Sequence, residues 1–240
     1  MNRRDCLALM GATASLTLVG CASAPPAMGT GDLGVVVARS TGTLAIVNTS
    51  QRKLLGLVTG LGDLSHASVV FSRDARHAFV FGRDGGLTKV DLLAQRIVGR
   101  VMQAGNSIGG AISADGRLVV AQNYTPGGIK AFDADTLELV ADVPAEYESG
   151  KRSRIVGLVD LPGQRFAYSL FDANAIWITD LSNPAHPVTT KLPNIGRQPY
   201  DALVTPNGRH YIAGLFGEDG LAMVDLWEDK PQVRRILAGY

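Results

Sequence analysis

Cysteine is nearly absent from this chain of 240 residues, which contains only Cys6 and Cys21. Beyond residue 21 there is therefore no thiol to form a disulfide, bind a metal or act as a nucleophile. Aromatic residues make up 6% of the chain, and its formal net charge is +1 without a basic patch, which argues against nucleic acid as a partner. Hydrophobic residues nevertheless account for 46%, enough to bury a substantial core.

Familiar catalytic signatures are missing as well. The sequence has no Ser/His/Asp set, no paired-carboxylate motif and no Cys/His metal cluster. The segment 29–34 matches the dinucleotide fingerprint G-x-G-x-x-G letter for letter, but that fingerprint has to follow a strand and open a helix. Here it precedes the predicted strand Val35–Ala38, so we do not predict a nucleotide site.

The N-terminus has the pattern of an export signal. A short basic head at residues 2–5 precedes an apolar run at 6–20, which is too short for a stable membrane span. The run ends in Leu18–Cys21, which fits the recognition box of a bacterial lipoprotein, where the cysteine sulfur receives the lipid. The alternative is a plain secretory signal in which Cys21 stands by chance.

These features predict three parts of the chain. Residues 1–20 form a lipoprotein signal peptide, and residues 21–33 form a flexible tether of mainly small residues and proline. Residues 34–240 form the folded domain. A lipid on Cys21 would then be the only attachment of the protein to a membrane.

A repeat runs through the folded domain, in which short alternating apolar segments are separated by Gly, Asp, Asn and Pro. Three copies share a turn of the form Ser/Thr-x-Asp/Asn-Gly/Ala-Arg, at residues 72–76, 113–117 and 205–209. The arginines that end these turns recur at one position of the repeat, so we interpret them as structural. An Asp or Asn that closes a later strand stands at positions 48, 91, 133, 180 and 225, at intervals of 42 to 47 residues.

This period predicts an all-β fold, a β-propeller of four-stranded blades. One such unit exposes an apolar face that only a neighbouring blade can cover. Residues 34–240 hold about five units. Four- and five-bladed rings exist, but part of a larger ring has the same appearance in the sequence.

Two residues of the sequence lie near the expected central axis of the propeller, where propellers bind ligands. His66 precedes the predicted innermost strand Ser68–Phe71, where an imidazole could ligate a metal or move a proton. Arg154 ends a basic cluster before the strand Ile155–Val159, where it could bind a carboxylate through two hydrogen bonds. A structural histidine and a solvated loop are the respective alternatives. Arg83, in a Gly-Arg-Asp-Gly-Gly turn, is either an anion-binding or an ordinary turn residue.

Several strings of residues resemble haem d1 biosynthesis proteins of the NirF type, and the resemblance extends over residues 34–228. The strings that carry the resemblance are Leu64–Ser68, Val80–Gly86, Gln122–Asp133, Gly196–Asp201 and Gly214–Leu221. The longest of them, Gln122–Asp133, is specific. That family is similar to the d1 domain of cytochrome cd1 nitrite reductase, an eight-bladed propeller that holds its tetrapyrrole on the axis. The resemblance therefore implies that the five visible blades belong to an eight-bladed ring, in a periplasmic and often lipid-anchored protein.

The resemblance also implies roles for individual residues. His66 corresponds to the proximal axial ligand of the haem iron and is our candidate catalytic residue, while Arg83 matches an arginine of the haem pocket. Tyr124 and Arg154 correspond to pocket residues that face the macrocycle and its carboxylates, and Tyr200 is a further candidate for binding the ligand. Near Tyr200 the reductase has a distal histidine that this chain lacks, so we do not expect nitrite reduction.

The implied function is binding of haem d1 or a late precursor for its maturation or delivery. Expected partners are cytochrome cd1 nitrite reductase and other haem d1 maturation proteins. The resemblance leaves open whether a chemical step occurs, and side-chain dehydrogenation is one that it suggests. The alternatives are a non-catalytic propeller scaffold for protein partners and a lactonase-type hydrolase, which would need a metal-binding carboxylate set that we do not find.

Overall fold

The computed structural model describes residues 29–239, and within that range the protein is all-β. The predicted signal peptide, Cys21 and the first part of the predicted tether lie outside the described residues. The one helical segment in the range is a 3-10 turn at Arg39–Thr41. None of the described residues form a helix with the length and apolarity to cross a bilayer.

The described strands form six antiparallel sheets, one of them a two-stranded hairpin, and we call the other five blades 1 to 5. Blade 1 contains β1 (Leu33–Ala38), β2 (Thr43–Asn48) and β3 (Lys53–Val58). Blade 2 contains β4 (Ser68–Phe71), β5 (His77–Phe81), β6 (Gly86–Asp91) and β7 (Arg96–Met102). Blade 3 contains β8 (Asn106–Ile112), β9 (Leu118–Thr125), β10 (Gly128–Asp133) and β11 (Leu139–Val143), and is followed by a small hairpin of β12 (Glu146–Glu148) and β13 (Lys151–Arg152). Blade 4 contains β14 (Ile155–Leu161), β15 (Arg165–Leu170), β16 (Ala175–Asp180) and β17 (Val188–Leu192), and blade 5 contains β18 (Pro199–Val204), β19 (His210–Leu215), β20 (Leu221–Asp225) and β21 (Val233–Ile236).

Blades 2 to 5 keep their strands in sequence order, and their first strands lie together. Strand β8 packs between β4 and β14, and β14 packs in turn against β18, so these are the inner strands of the propeller. Blade 1 differs from the predicted four strands. Its β2 ends at Asn48, the repeat position at which the third strand of other blades ends, so β1 to β3 correspond to the second, third and fourth strands.

The core consists of apolar layers between successive blades. Because successive side chains of a strand point to opposite faces of the sheet, β5 contributes residues to two of these layers. Val80 packs towards Leu44 and Ile46 of blade 1, whereas Phe79 and Phe81 pack towards blade 3. Equivalent layers join blade 3 to blade 4 and blade 4 to blade 5. This arrangement confirms the propeller prediction, in which each blade covers the apolar face of its neighbour.

The repeated turn also forms as predicted. In blade 2 the Ser72 hydroxyl lies 2.6 Å from the Asp74 carboxylate, which accepts a hydrogen bond from the backbone N–H of Arg76. The turn arginines are structural in two of three copies, since Arg76 and Arg209 pair with the aspartate that closes the third strand, at 2.9 and 2.6 Å. Arg117 instead lies 4.0 Å from Asp115, and Asp133 accepts hydrogen bonds from the backbone N–H groups of its own turn.

These paired carboxylates should make the protein sensitive to acid. The hydrogen bond from Arg209 holds the pKa of Asp225 below its ordinary value. A depressed folded-state pKa contributes stability above the unfolded value of about 3.9, which is lost as pH falls through the folded-state value. We expect Asp225→Asn to lower the urea midpoint of unfolding at pH 7. Between pH 5 and pH 3, the midpoint of this variant should decrease less than that of the unsubstituted protein. The exposed Asp219→Asn is the control, and an equal pH slope in both variants would contradict the prediction.

Candidate functional site

The predicted site residues lie on one face of the propeller because of the strand register. In each of blades 2 to 5 the start of the inner strand lies beside the end of the second strand, as in the pairs Ser68–Phe81, Ile155–Leu170 and Pro199–Leu215. The segment that enters the inner strand and the turn after the second strand therefore meet at one edge of every blade. We call this the upper face.

Two tyrosines meet across blade 4 on the upper face. Tyr124 lies near the end of β9 and Tyr200 near the start of β18, and their hydroxyl oxygens are 2.9 Å apart. Both pack against a small buried cluster of Ile108, Val156 and Phe171. Burial, together with this hydrogen bond, raises the pKa of Tyr124 well above its ordinary value, so its hydroxyl stays neutral. One hydroxyl donates to the other, which leaves the second with a proton to donate to a ligand.

Arg154 enters β14 beside the tyrosines, but it already has a carboxylate partner. Its Nη2 and Nε donate to Asp172 at 2.6 and 3.1 Å, and its backbone N–H donates to the same carboxylate at 2.9 Å. The guanidinium lies 4.2 Å from the ring centroid of Phe171 and 5.9 Å from that of Tyr124. This bidentate pair fixes the guanidinium and, among the described residues, leaves Nη1 without a hydrogen bond.

Arg83 approaches Tyr124 from blade 2, with its guanidinium carbon 5.8 Å from the ring centroid. Its backbone N–H donates to the carbonyl of Asp63 at 2.7 Å, which ties its turn to the loop before β4. Within residues 29–239 its side chain forms no hydrogen bond or ion pair. Arg83 therefore carries positive charge that remains available to an anionic ligand.

His66 is exposed in the turn that leads into β4. The loop before it is anchored to blade 2, since the Asp84 carboxylate accepts from Asp63 N–H at 3.3 Å and from Arg100 Nη2 at 2.8 Å. The described structure gives the imidazole no hydrogen-bond partner. His66 thus lies on the upper face, in the loop that Asp63 ties to the Arg83 turn, and within residues 29–239 no hydrogen bond joins it to Arg83, Tyr124, Arg154 or Tyr200.

The sequence did not reveal an aromatic cluster on the same face, formed by Phe171, Tyr200 and Phe216. The three ring centroids lie 5.6 to 6.1 Å apart, and Phe216 is 73% exposed. Phe171 and Phe216 each follow directly on the second strand of their blade, where blade 2 has its Arg83 turn. An alignment of the repeats could have indicated them on that ground.

These groups are suited to a flat ligand that carries carboxylates. The exposed ring of Phe216 and the partly buried rings of Tyr124 and Tyr200 offer a stacking surface, and arginines and a phenol offer donors at its edge. A cluster of three or more His, Cys, Asp or Glu side chains able to hold a metal ion does not occur in residues 29–239. An iron held inside a tetrapyrrole needs only an axial donor from the protein, which an exposed imidazole can provide.

Comparison with known proteins agrees with this interpretation. Residues 28–240 match the protein family described as "Cytochrome D1 heme domain". The chain is 60% identical over 225 residues to Protein NirF of Pseudomonas aeruginosa and to Protein NirF of Stutzerimonas stutzeri, covering 93% of this chain and 57% of each relative. The structure resembles that of the dihydro-heme d1 dehydrogenase NirN in complex with DHE, with a TM-score of 0.77 and 25% identity over 90% of this chain and 46% of that one.

The chain thus spans about half the length of the curated relatives that it matches. Both the predicted propeller and the resemblance to NirF-type proteins are confirmed. The chain belongs to the cytochrome d1 haem-domain family.

Proposed function

We propose that this protein binds haem d1 or a late precursor of it and serves haem d1 biosynthesis, by maturing the tetrapyrrole or delivering it to cytochrome cd1 nitrite reductase. The observation that carries the proposal is the set of contacting side chains from blades 2 to 5 on the upper face. Four of the five residues predicted from the sequence belong to it, namely Arg83, Tyr124, Arg154 and Tyr200.

Each group has a distinct task in this proposal. The macrocycle contacts Tyr124, Tyr200 and Phe216, and Arg83 neutralises a carboxylate of its rim. Asp172 holds Arg154 in place and accepts hydrogen bonds from its Nε and Nη2. Arg154 therefore presents Nη1 to the ligand and does not bind a carboxylate of the ligand through Nε and Nη2. His66 supplies the axial donor to the iron. The arrangement of these side chains supports binding of the tetrapyrrole. It does not identify a residue that would carry out a dehydrogenation step.

The N-terminal sequence pattern supports a proposal about where the protein acts. We propose that the protein works in the periplasm, held to a membrane by a lipid on Cys21. Labelling of cells with radioactive palmitate tests this part, because the label should be incorporated into the protein and should be lost in Cys21→Ser.

Titration of the purified protein with haem d1 tests the binding function. We expect a saturable change of the visible spectrum at one haem per chain, and we expect Arg83→Gln to weaken the binding by about tenfold, the loss of one charge-assisted hydrogen bond. A spectrum that equals the sum of free haem d1 and protein at every ratio would contradict the proposal. It would favour a propeller scaffold that docks proteins instead.

A further inference from the structure

A cleft of about 310 Å³ opens on the upper face between blades 4 and 5. One wall is the turn after β15, with Phe171, Asp172 and Asn174, and the other comprises Arg197, Gln198 and Gly217. Phe171 also belongs to the aromatic cluster. The cleft is therefore continuous with the surface that we propose for the macrocycle, although no residue of its blade 5 wall was predicted as a site residue.

Asp172, which lines the cleft, and Glu218, which follows the lining residue Gly217, are each paired with arginine. Asp172 is held by Arg154, with N···O distances of 2.6 to 3.1 Å. Glu218 accepts the backbone N–H of Arg197 at 2.7 Å and lies 3.0 Å from Nη2 of Arg235. The three arginines of this group (Arg154, Arg197 and Arg235) exceed its two carboxylates (Asp172 and Glu218) by one positive charge.

The excess charge is on Arg197, which also has free donors. Its Nε is 3.7 Å from Glu218, longer than a hydrogen bond, and its side chain is 70% exposed. On the opposite wall the Asn174 oxygen accepts the backbone N–H of Gln198 at 2.8 Å, so the Asn174 amide nitrogen is left as a donor. Donors on both walls and a net positive charge suit an anionic oxygen group.

We infer that this cleft is a subsite for one carboxylate-bearing side chain of the tetrapyrrole, with Arg197 as its main partner. The inference rests on the proposed function and extends it, because it names a ligand group and residues that the family resemblance did not assign. A carboxylate arm that leaves the macrocycle beside Phe171 would reach the guanidinium of Arg197 without displacing Asp172 from Arg154.

Binding of haem d1 and of its fully methylated ester to two arginine variants tests the inference. Arg197→Gln should weaken binding of haem d1 by about two- to fivefold, the range for a solvent-exposed ion pair, and should leave binding of the ester unchanged. Arg234→Gln is the matched control, because Arg234 is 67% exposed and also lies 3.7 Å from a glutamate, in its case Glu228. It should bind both ligands as the unsubstituted protein does.

The outcomes separate the inference from the function on which it rests. Binding of haem d1 that Arg197→Gln leaves intact, or weakens no more than Arg234→Gln does, overturns the subsite. An equal loss for the ester overturns it as well, since the effect would then not depend on a carboxylate. Absence of any binding by the unsubstituted protein overturns the proposed function, and the subsite with it.

Discussion

Replacing His66 by alanine should abolish the spectral signature of an axially ligated haem d1 while the tetrapyrrole still binds. The imidazole is exposed and, among the described residues, free of hydrogen bonds, so its removal costs the fold little, whereas the iron loses its protein donor. The macrocycle and carboxylate contacts remain. Visible spectra of the two complexes measure the effect, and free imidazole added to the variant should restore the original spectrum.

His186 offers the control for this substitution. It is also an exposed turn histidine, but it follows β16, at the end of blade 4 away from the upper face. His186→Ala should therefore leave the haem spectrum unchanged. An unaltered spectrum in His66→Ala would remove His66 from the site, whatever the affinity of the protein for haem d1.

The second large effect is expected at Gly85, which shapes the turn that carries Arg83. Its φ is +81°, and an added Cβ would lie 2.0 Å from the backbone oxygen of Ala104. Gly208 has a similar φ of +73°, with nothing within 4 Å of the added Cβ. We expect Gly208→Ala to cost about 1–2 kcal/mol for its left-handed backbone. We expect Gly85→Ala to cost about 1–3 kcal/mol more, because the backbone of the loop at Ala104, between β7 and β8, must move.

Urea denaturation of the two glycine variants measures this difference. Gly85→Ala should also weaken haem d1 binding, because displacement of the turn moves Arg83 relative to Tyr124. Equal losses of unfolding free energy in the two variants would show that the contact with Ala104 does not restrict the turn.

The fold was largely predictable because each blade repeats the same local chemistry. Ser72 and Asp74 close their turn by contacts within a few residues, and such contacts are encoded in short sequence segments. The hairpin of β12 and β13 escaped prediction for the opposite reason. Its strands are short and polar, so they lack the apolar alternation that marks a strand that packs on a core.

The site was predictable only in part, because its contacts join distant blades. The repeat places Tyr124 and Tyr200 at blade edges, but the hydrogen bond between them spans 76 residues and depends on how blades 3 and 5 flank blade 4. The pairing of Arg154 with Asp172 likewise depends on the strand register of blade 4. Sequence patterns indicate the position of a side chain along a strand, but not which residue from a distant part of the chain it contacts.

A crystal structure of the protein with haem d1 bound would test the central claim most directly, namely that the upper face holds the tetrapyrrole. We predict that the macrocycle contacts Tyr124, Tyr200 and Phe216, with the His66 imidazole on the iron and a carboxylate within hydrogen-bond distance of Arg83. A macrocycle bound to the opposite face, or held by none of these side chains, would contradict the account.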